Sequence, residues 1–182
     1  MELLIGPYGS GLVRAVAPLL CDAGRLLYNH GGSADDLARP GLVSLPAPAS
    51  SYFDGAVQEA VTRRVNRLLV VRGSGPFARA VAEGAAARAS ERGIEARMVS
   101  VGSLTAAEAA GAALLVVGRF EEDVAVVRRV RGWPQAPALL GAVAAGLPAF
   151  GEQLGGAAED VLGPVQWWPS WFGSAGLPLT IG

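Results

Sequence analysis

Lysine is absent from the sequence: all fifteen basic residues are arginine, set against sixteen acids for a net charge of −1. That balance leaves no basic footprint, which argues against a nucleic-acid partner. We attribute the Arg, Ala and Gly bias to base composition rather than to function. A single cysteine, Cys21, excludes an intrachain disulfide framework and any multi-cysteine metal site. Carboxylate pairs occur without partner histidines or a ligand-spaced loop, so no metal and no cofactor is expected. No apolar run approaches the ~18 residues of a membrane span, so no membrane insertion is expected. The opening Met-Glu-Leu-Leu-Ile-Gly-Pro has no basic n-region, long apolar core or cleavage site. A signal peptide is therefore not expected, and a cytoplasmic location is.

What is present is 51% hydrophobic and only 17% charged, in 182 residues, enough to bury a core in one large or two small domains. Two small-residue turns stand out, Gly6-Pro7-Tyr8-Gly9-Ser10-Gly11 and Asn29-His30-Gly31-Gly32-Ser33. Each follows a short apolar run, Leu3–Ile5 and Arg25–Tyr28. In an open α/β sheet, ligands bind at the carboxyl ends of strands, where Gly lets backbone N–H groups approach and Ser adds a hydroxyl. The two turns read as a clamp converging on one anionic group. Between them, Leu12, Val13, Val16, Leu19 and Leu20 have helical spacing over residues 11–23. Pro18 falls inside that helix, and Gly24 fits its stop.

Pro46-Ala47-Pro48-Ala49-Ser50 is the clearest break, read as a crossover or hinge between two lobes. Beyond it a helix to about Arg64 precedes a β-α-β-α run. Strands are expected at 68–71, 95–101 and 114–117, with helices at 77–92, 105–110 and 121–130. This alternation implies a parallel sheet covered on both faces. Trp133-Pro134-Gln135-Ala136-Pro137 is a second break, followed by a strand at 138–143 and a short helix at 148–154 opened by Pro148.

Several motifs have two readings. Gly73-x-Gly75-x-x-Ala78 sits where a dinucleotide fingerprint would, but the next strand ends Ser100-Val101-Gly102-Ser103 without the ribose-binding acid. An ordinary strand–helix turn is the better reading. Ser10 lacks the flanks of a nucleophile elbow, and only His30, with Asp35 or Asp36, is available as its base. Glu121-Glu122-Asp123 reads as a solvated helix start, and Cys21 as a small core residue. Trp167, Trp168 and Trp171 fit either the wall of an apolar pocket or a partner interface.

Taken as a set, Ile5–Gly11, Tyr28–Ser33, Gly118-Arg119-Phe120 and Val161–Trp167 resemble the type 1 periplasmic binding proteins. The branch they resemble is the branched-chain amino-acid-binding components of ABC transporters. The resemblance implies an α/β fold of two small Rossmann-like parallel-sheet lobes with lobe one incomplete. Residues 1–48 and 133–182 would form lobe one and 49–132 lobe two. It also implies a small-molecule ligand, amino-acid-like or a carboxylate or amide, trapped between lobes. Its contacts would fall on Tyr8, Ser10, His30, Gly31, Gly32 and Ser33 from one side, and on Ser74 and Phe120 from the other. The segment Val143-Ala144-Ala145 offers no acid where amino-acid binders place one for the ammonium. Elements of lobe one that the resemblance would include are not found, so a homodimer covering its open face is expected. The alternative is a cytoplasmic biosynthetic enzyme on the same scaffold, with His30, Tyr8 and Glu121 as its reactive groups. A gene remnant without independent function is the third reading.

Overall fold

A computed structural model describes residues 3–165; the three tryptophans at 167, 168 and 171 lie outside the described residues. The chain opens with β1 (Leu3–Ile5), α1 (Ser10–Cys21), β2 (Leu26–Asn29) and β3 (Leu42–Ser44). The three strands are parallel in the order β1-β2-β3. Val13 and Ala17, four residues apart on α1, are buried against Leu27 and Leu37. Helix α1 continues through Pro18, which forfeits only the bond it would have donated to the carbonyl four residues back, and Asp22 N still reaches Pro18 O at 3.0 Å. Because strand side chains alternate, Leu27 faces α1 while the register row Ile5–Tyr28–Val43 lies on the other face. Ile5 and Val43 in that row are exposed.

After the Pro46–Pro48 crossover and a 3-10 turn at Ala49–Ser51 come α2 (Asp54–Thr62), β4 (Arg67–Arg72), α3 (Pro76–Glu91), β5 (Glu95–Ser100), α4 (Ala106–Ala109), β6 (Ala113–Val117) and α5 (Phe120–Arg131). They are followed by β7 (Leu139–Ala142), a 3-10 turn at Val143–Gly146, α6 (Pro148–Leu154) and β8 (Val161–Leu162). The five strands form one parallel sheet, β5-β4-β6-β7-β8. Alternation divides the central strands between two cores. Leu68 and Val70 pack under α2 and α3, while Leu69 and Val71 pack on the face covered by α5 and α6. The α3 helix approaches the 3-10 turn through Gly84, where a Cβ would overlap the Ser50 backbone.

One expectation needs correction over part of its length. Residues 133–182 are expected in the first lobe, but β7 pairs with β6 and β8 with β7, both in the second sheet, while residues 166–182 lie outside the described residues. The proline-rich stretch after Trp133 ends α5 without redirecting the chain. Ala138 N bonds Ala112 O at 2.9 Å, which starts β7 in register beside β6. Pro stops a helix, but it carries no information about which sheet the next strand joins.

Candidate functional site

Strands β1 and β2 end side by side, so the two glycine turns meet. Gly6 N donates to Tyr28 O at 2.6 Å and Gly9 N to Gly31 O at 3.1 Å. The second turn is built around Asn29, which is wholly buried. Its Oδ1 accepts from Gly32 N at 2.7 Å and Gly31 N at 3.2 Å, while Nδ2 donates to Gly32 O at 2.6 Å and Ser44 Oγ at 3.0 Å. An Asx side chain mimicking a backbone turn in this way fixes the loop without help from repetitive structure. Gly32 packs tightly here, since a Cβ would come within 3.0 Å of Asn29 Oδ1, Leu37 and Val13.

Ser10 joins the turns. Its Oγ accepts from Ser33 N at 3.1 Å and Ala34 N at 3.0 Å, which uses both acceptor sites and leaves the hydroxyl proton to donate. It stands in the first turn of α1, whose first α-helical bond is Val13 N to Gly9 O at 3.1 Å and whose earlier amides no side chain caps. That end of the helix carries positive potential. Gly9, at φ 98°, makes the turn into it.

Facing these turns is a wall from the second sheet. Tyr52 and Phe77 meet edge to face at 5.3 Å between centroids. Phe120 opens α5, and Val143, Ala144, Gly146 and Leu147 follow β7. With Tyr8, Gly9, Ser10, Gly31, Ser33, Asp123, Gly118, Pro164 and Val165 they enclose a cleft of about 580 Å³. At one end of this wall Glu122 Oε2 accepts from Arg119 N at 2.9 Å, closing the start of α5.

Asp123 is 1% exposed, and its Oδ2 accepts from Ala144 N at 3.0 Å. Oδ1 has no hydrogen-bond partner among the described residues. Burial pushes the carboxyl up to about 7. The amides of Ala144 and Gly118 oppose that rise, the second without closing a bond of normal geometry, and the charge of Glu122 adds to it.

Of the residues expected to bind, Tyr8, Ser10, Gly31, Ser33 and Phe120 line this cleft. Gly32 is buried beneath the turn with its N–H on Asn29. Ser74 is exposed and off the cleft, and neighbouring Gly73 already donates to Val117 O at 2.7 Å. His30 is exposed, its ring 6.3 Å from that of Tyr8, and Glu121 is exposed as well. Neither lines the cleft, so of the three groups weighed for an enzyme it takes only Tyr8. The Ser10 hydroxyl engages two amides rather than His30. Among the described residues no three His, Cys, Asp or Glu side chains gather as a metal site. Asp123, Tyr52 and Phe77 line the cleft and Asn29 holds one of its turns, and none of the four was expected as a site residue. Periodicity marked two of them. Asn29 shares the α1-facing side of β2 with Leu27, and Asp123 shares the buried stripe of α5 with Val127 and Val130.

No protein-family model and no curated protein matches the sequence. Solved structures do match in fold. A leucine-binding protein from Thermotoga maritima superposes at TM-score 0.76 with 17% identity, over 96% of this chain and 53% of that one. A solute-binding protein of an ABC transporter from R. palustris, in complex with 4-hydroxybenzoate, matches at 0.62 and 13%, over 84% and 47%. An extracellular ligand-binding receptor from Verminephrobacter eiseniae matches at 0.59 and 20%, over 86% and 49%. The chain has the fold of part of a type 1 periplasmic binding protein and spans about half the length of these structures. No helix among the described residues is long and apolar enough to cross a membrane. The receptor's extracellular designation lends no support to the cytoplasmic expectation.

Proposed function

We propose that the chain binds a small organic carboxylate with an apolar body, held in the cleft between the glycine turns of the first sheet and the aromatic wall of the second. The observation that carries this reading is Ser10. Its oxygen is saturated by two amides, so what it presents to the cleft is a donor, at the uncapped N-terminus of a 12-residue helix. A donor and a helix N-terminus together favour an anionic oxygen. Tyr52, Phe77 and Phe120 supply the apolar surface for the rest of the ligand. The names of two matched proteins agree, since leucine and 4-hydroxybenzoate are both carboxylates on apolar frames. In this reading the two sheets act as lobes, and ligand favours the state in which they close on it.

Thermal unfolding against matched acids and amides tests it, using benzoate with benzamide and 4-methylpentanoate with 4-methylpentanamide. A ligand bound only by the native state raises the melting temperature saturably. The acids are expected to do so and the amides much less. Equal shifts from acids and amides, or none from any acid, would refute the reading.

The proposal extends to self-association through the open face of the first sheet, supported by the exposed apolar row of Ile5 and Val43 beside Tyr28. Light scattering is expected to give twice the chain mass, and to give the single-chain mass for Val43→Lys. A single-chain mass for the unaltered protein would end that part of the proposal.

A further inference from the structure

Among the described residues that line the cleft one is an acid, and carboxylate binding does not use it. Asp123 lines it from α5 with Oδ2 tied to Ala144 N and Oδ1 unpaired, in a side chain 1% exposed. Buried oxygens are nearly always paired, because an unmade bond there forfeits the hydration given up on burial. The protein itself supplies no partner among the described residues. From the 3-10 turn at Val143–Gly146 and from the end of β6, what faces the carboxyl is backbone amide, Ala144 and Gly118. Among the described residues the one charged side chain acting on it is Glu122, on the same helix and of the same sign. No cation among the described residues neutralises it. Holding Ala144 needs a single acceptor, which an amide or hydroxyl would supply without burying an acid.

We propose that Asp123 is a specificity-determining residue of this cleft, accepting a hydrogen bond from an O–H or N–H carried by the carboxylate ligand away from its carboxylate. The inference rests on the carboxylate-binding reading above and adds the second functional group of the ligand. Ser10 and Asp123 stand on opposite walls, one offering a donor and the other an acceptor. A ligand with an acid at one end and a donor at the other satisfies both. An apolar acid satisfies Ser10 and leaves Oδ1 unpaired. The rise of the Asp123 carboxyl to about 7 accords with this, since burial raises it further than the amides of Ala144 and Gly118 lower it.

Two pairs of probes differ only in the donor: 4-hydroxybenzoate against benzoate, and leucine against 4-methylpentanoate. Calorimetric titration at pH 8 is expected to show the donor-bearing member of one pair binding about tenfold or more tightly than its partner, as for a hydrogen bond to a charged group. Which pair shows it separates a hydroxyl from an ammonium. In Asp123→Asn the Ala144 amide holds the side-chain oxygen, so Nδ2 takes the place of Oδ1 and offers a donor. The preference is then expected to fall below about threefold while the plain acid still binds. If that variant fails to fold, the unaltered protein suffices. Its preference should shrink as pH falls through about 7, because a protonated carboxyl is the poorer acceptor, while the plain acid binds no worse. Acids that bind with no preference for a donor, or a preference that Asp123→Asn leaves intact, overturn the proposal and leave the carboxylate reading standing. If none of the four probes binds, the carboxylate reading fails and this inference fails with it.

Discussion

Replacing Asn29 with alanine removes the centre of the second glycine turn, and the structure sets the size of the effect. Four hydrogen bonds are lost, two accepted from Gly31 N and Gly32 N and two donated to Gly32 O and Ser44 Oγ. The Ser44 hydroxyl is free to turn elsewhere, but the backbone groups of Gly32 are buried and have nowhere else to go. At about 1 kcal/mol for each of the three bonds to backbone, with a further 1–3 kcal/mol for a buried group left unpaired, the loss is about 4–6 kcal/mol. Against a typical stability of roughly 5–15 kcal/mol this is a large fraction. Urea unfolding with linear extrapolation measures it. Asn29→Asp keeps both accepted bonds but sets a buried anionic oxygen against Gly32 O, a separation of 2.6 Å in the native side chain. It is expected to be at least as harmful at pH 7 and to recover partly on acidification. An alanine variant within about 1 kcal/mol of the unaltered protein would refute the argument that this one side chain holds the turn.

Two further outcomes follow from packing and charge. Gly84→Ala would drive a Cβ into the Ser50 backbone, which cannot rotate away, and is expected to lower unfolding stability by about 2–4 kcal/mol. Gly31→Ala meets first the ring of Tyr8, which is 79% exposed and can swing, so its loss should stay under about 1 kcal/mol; equal losses would undo the distinction. Asp123 makes stability depend on pH in a defined sense. Its folded carboxyl titrates near 7 against about 3.9 when unfolded, so the folded state binds the extra proton between those values. Its contribution is therefore fully present below about pH 4 and is lost as pH rises through about 7. Relative to Asp123→Asn, the unaltered protein should lose on the order of a few kcal/mol between about pH 4 and pH 8 in urea unfolding. A difference between the two that stays flat with pH would show that the carboxyl is not desolvated.

Much of the fold was legible because its signals are local. Apolar runs such as Leu68–Val71 and Leu114–Val117 could be little other than buried strands, and Gly24 marked where α1 stops. The two glycine turns announced themselves by composition, and the structure brings them together at the ends of β1 and β2. The membership of β7 and β8 was not legible. A strand's sheet is set by which neighbour it pairs with at long range, and Ala138 N bonding Ala112 O is invisible in the residues around Trp133. Nor was the aromatic wall, since Tyr52 and Phe77 lie 25 positions apart on separate elements and meet only through the packing of α3 on the Ala49–Ser51 turn.

Within the site, residue chemistry proved a poorer guide than periodicity. Glu121 and His30 attracted attention because carboxylates and imidazoles do chemistry, and both are exposed off the cleft. Glu121 and Asp123 share one acidic run, yet two positions on an α-helix turn the side chain by about 200°, so one faces out when the other faces in. The inward one is identified by its fellows: Asp123, Val127 and Val130 recur at the spacing of a single helix face, and all three are buried. In the same way Asn29 alternates with buried Leu27, which sets it under the turn, while His30, the next residue along, is left outside. A polar residue that interrupts an apolar stripe must find its partners inside the protein or be given one by a ligand. Asn29 finds all of its partners in the chain. Among the described residues Asp123 finds only one, and that difference is why the first reads as a structural residue and the second as part of a binding site.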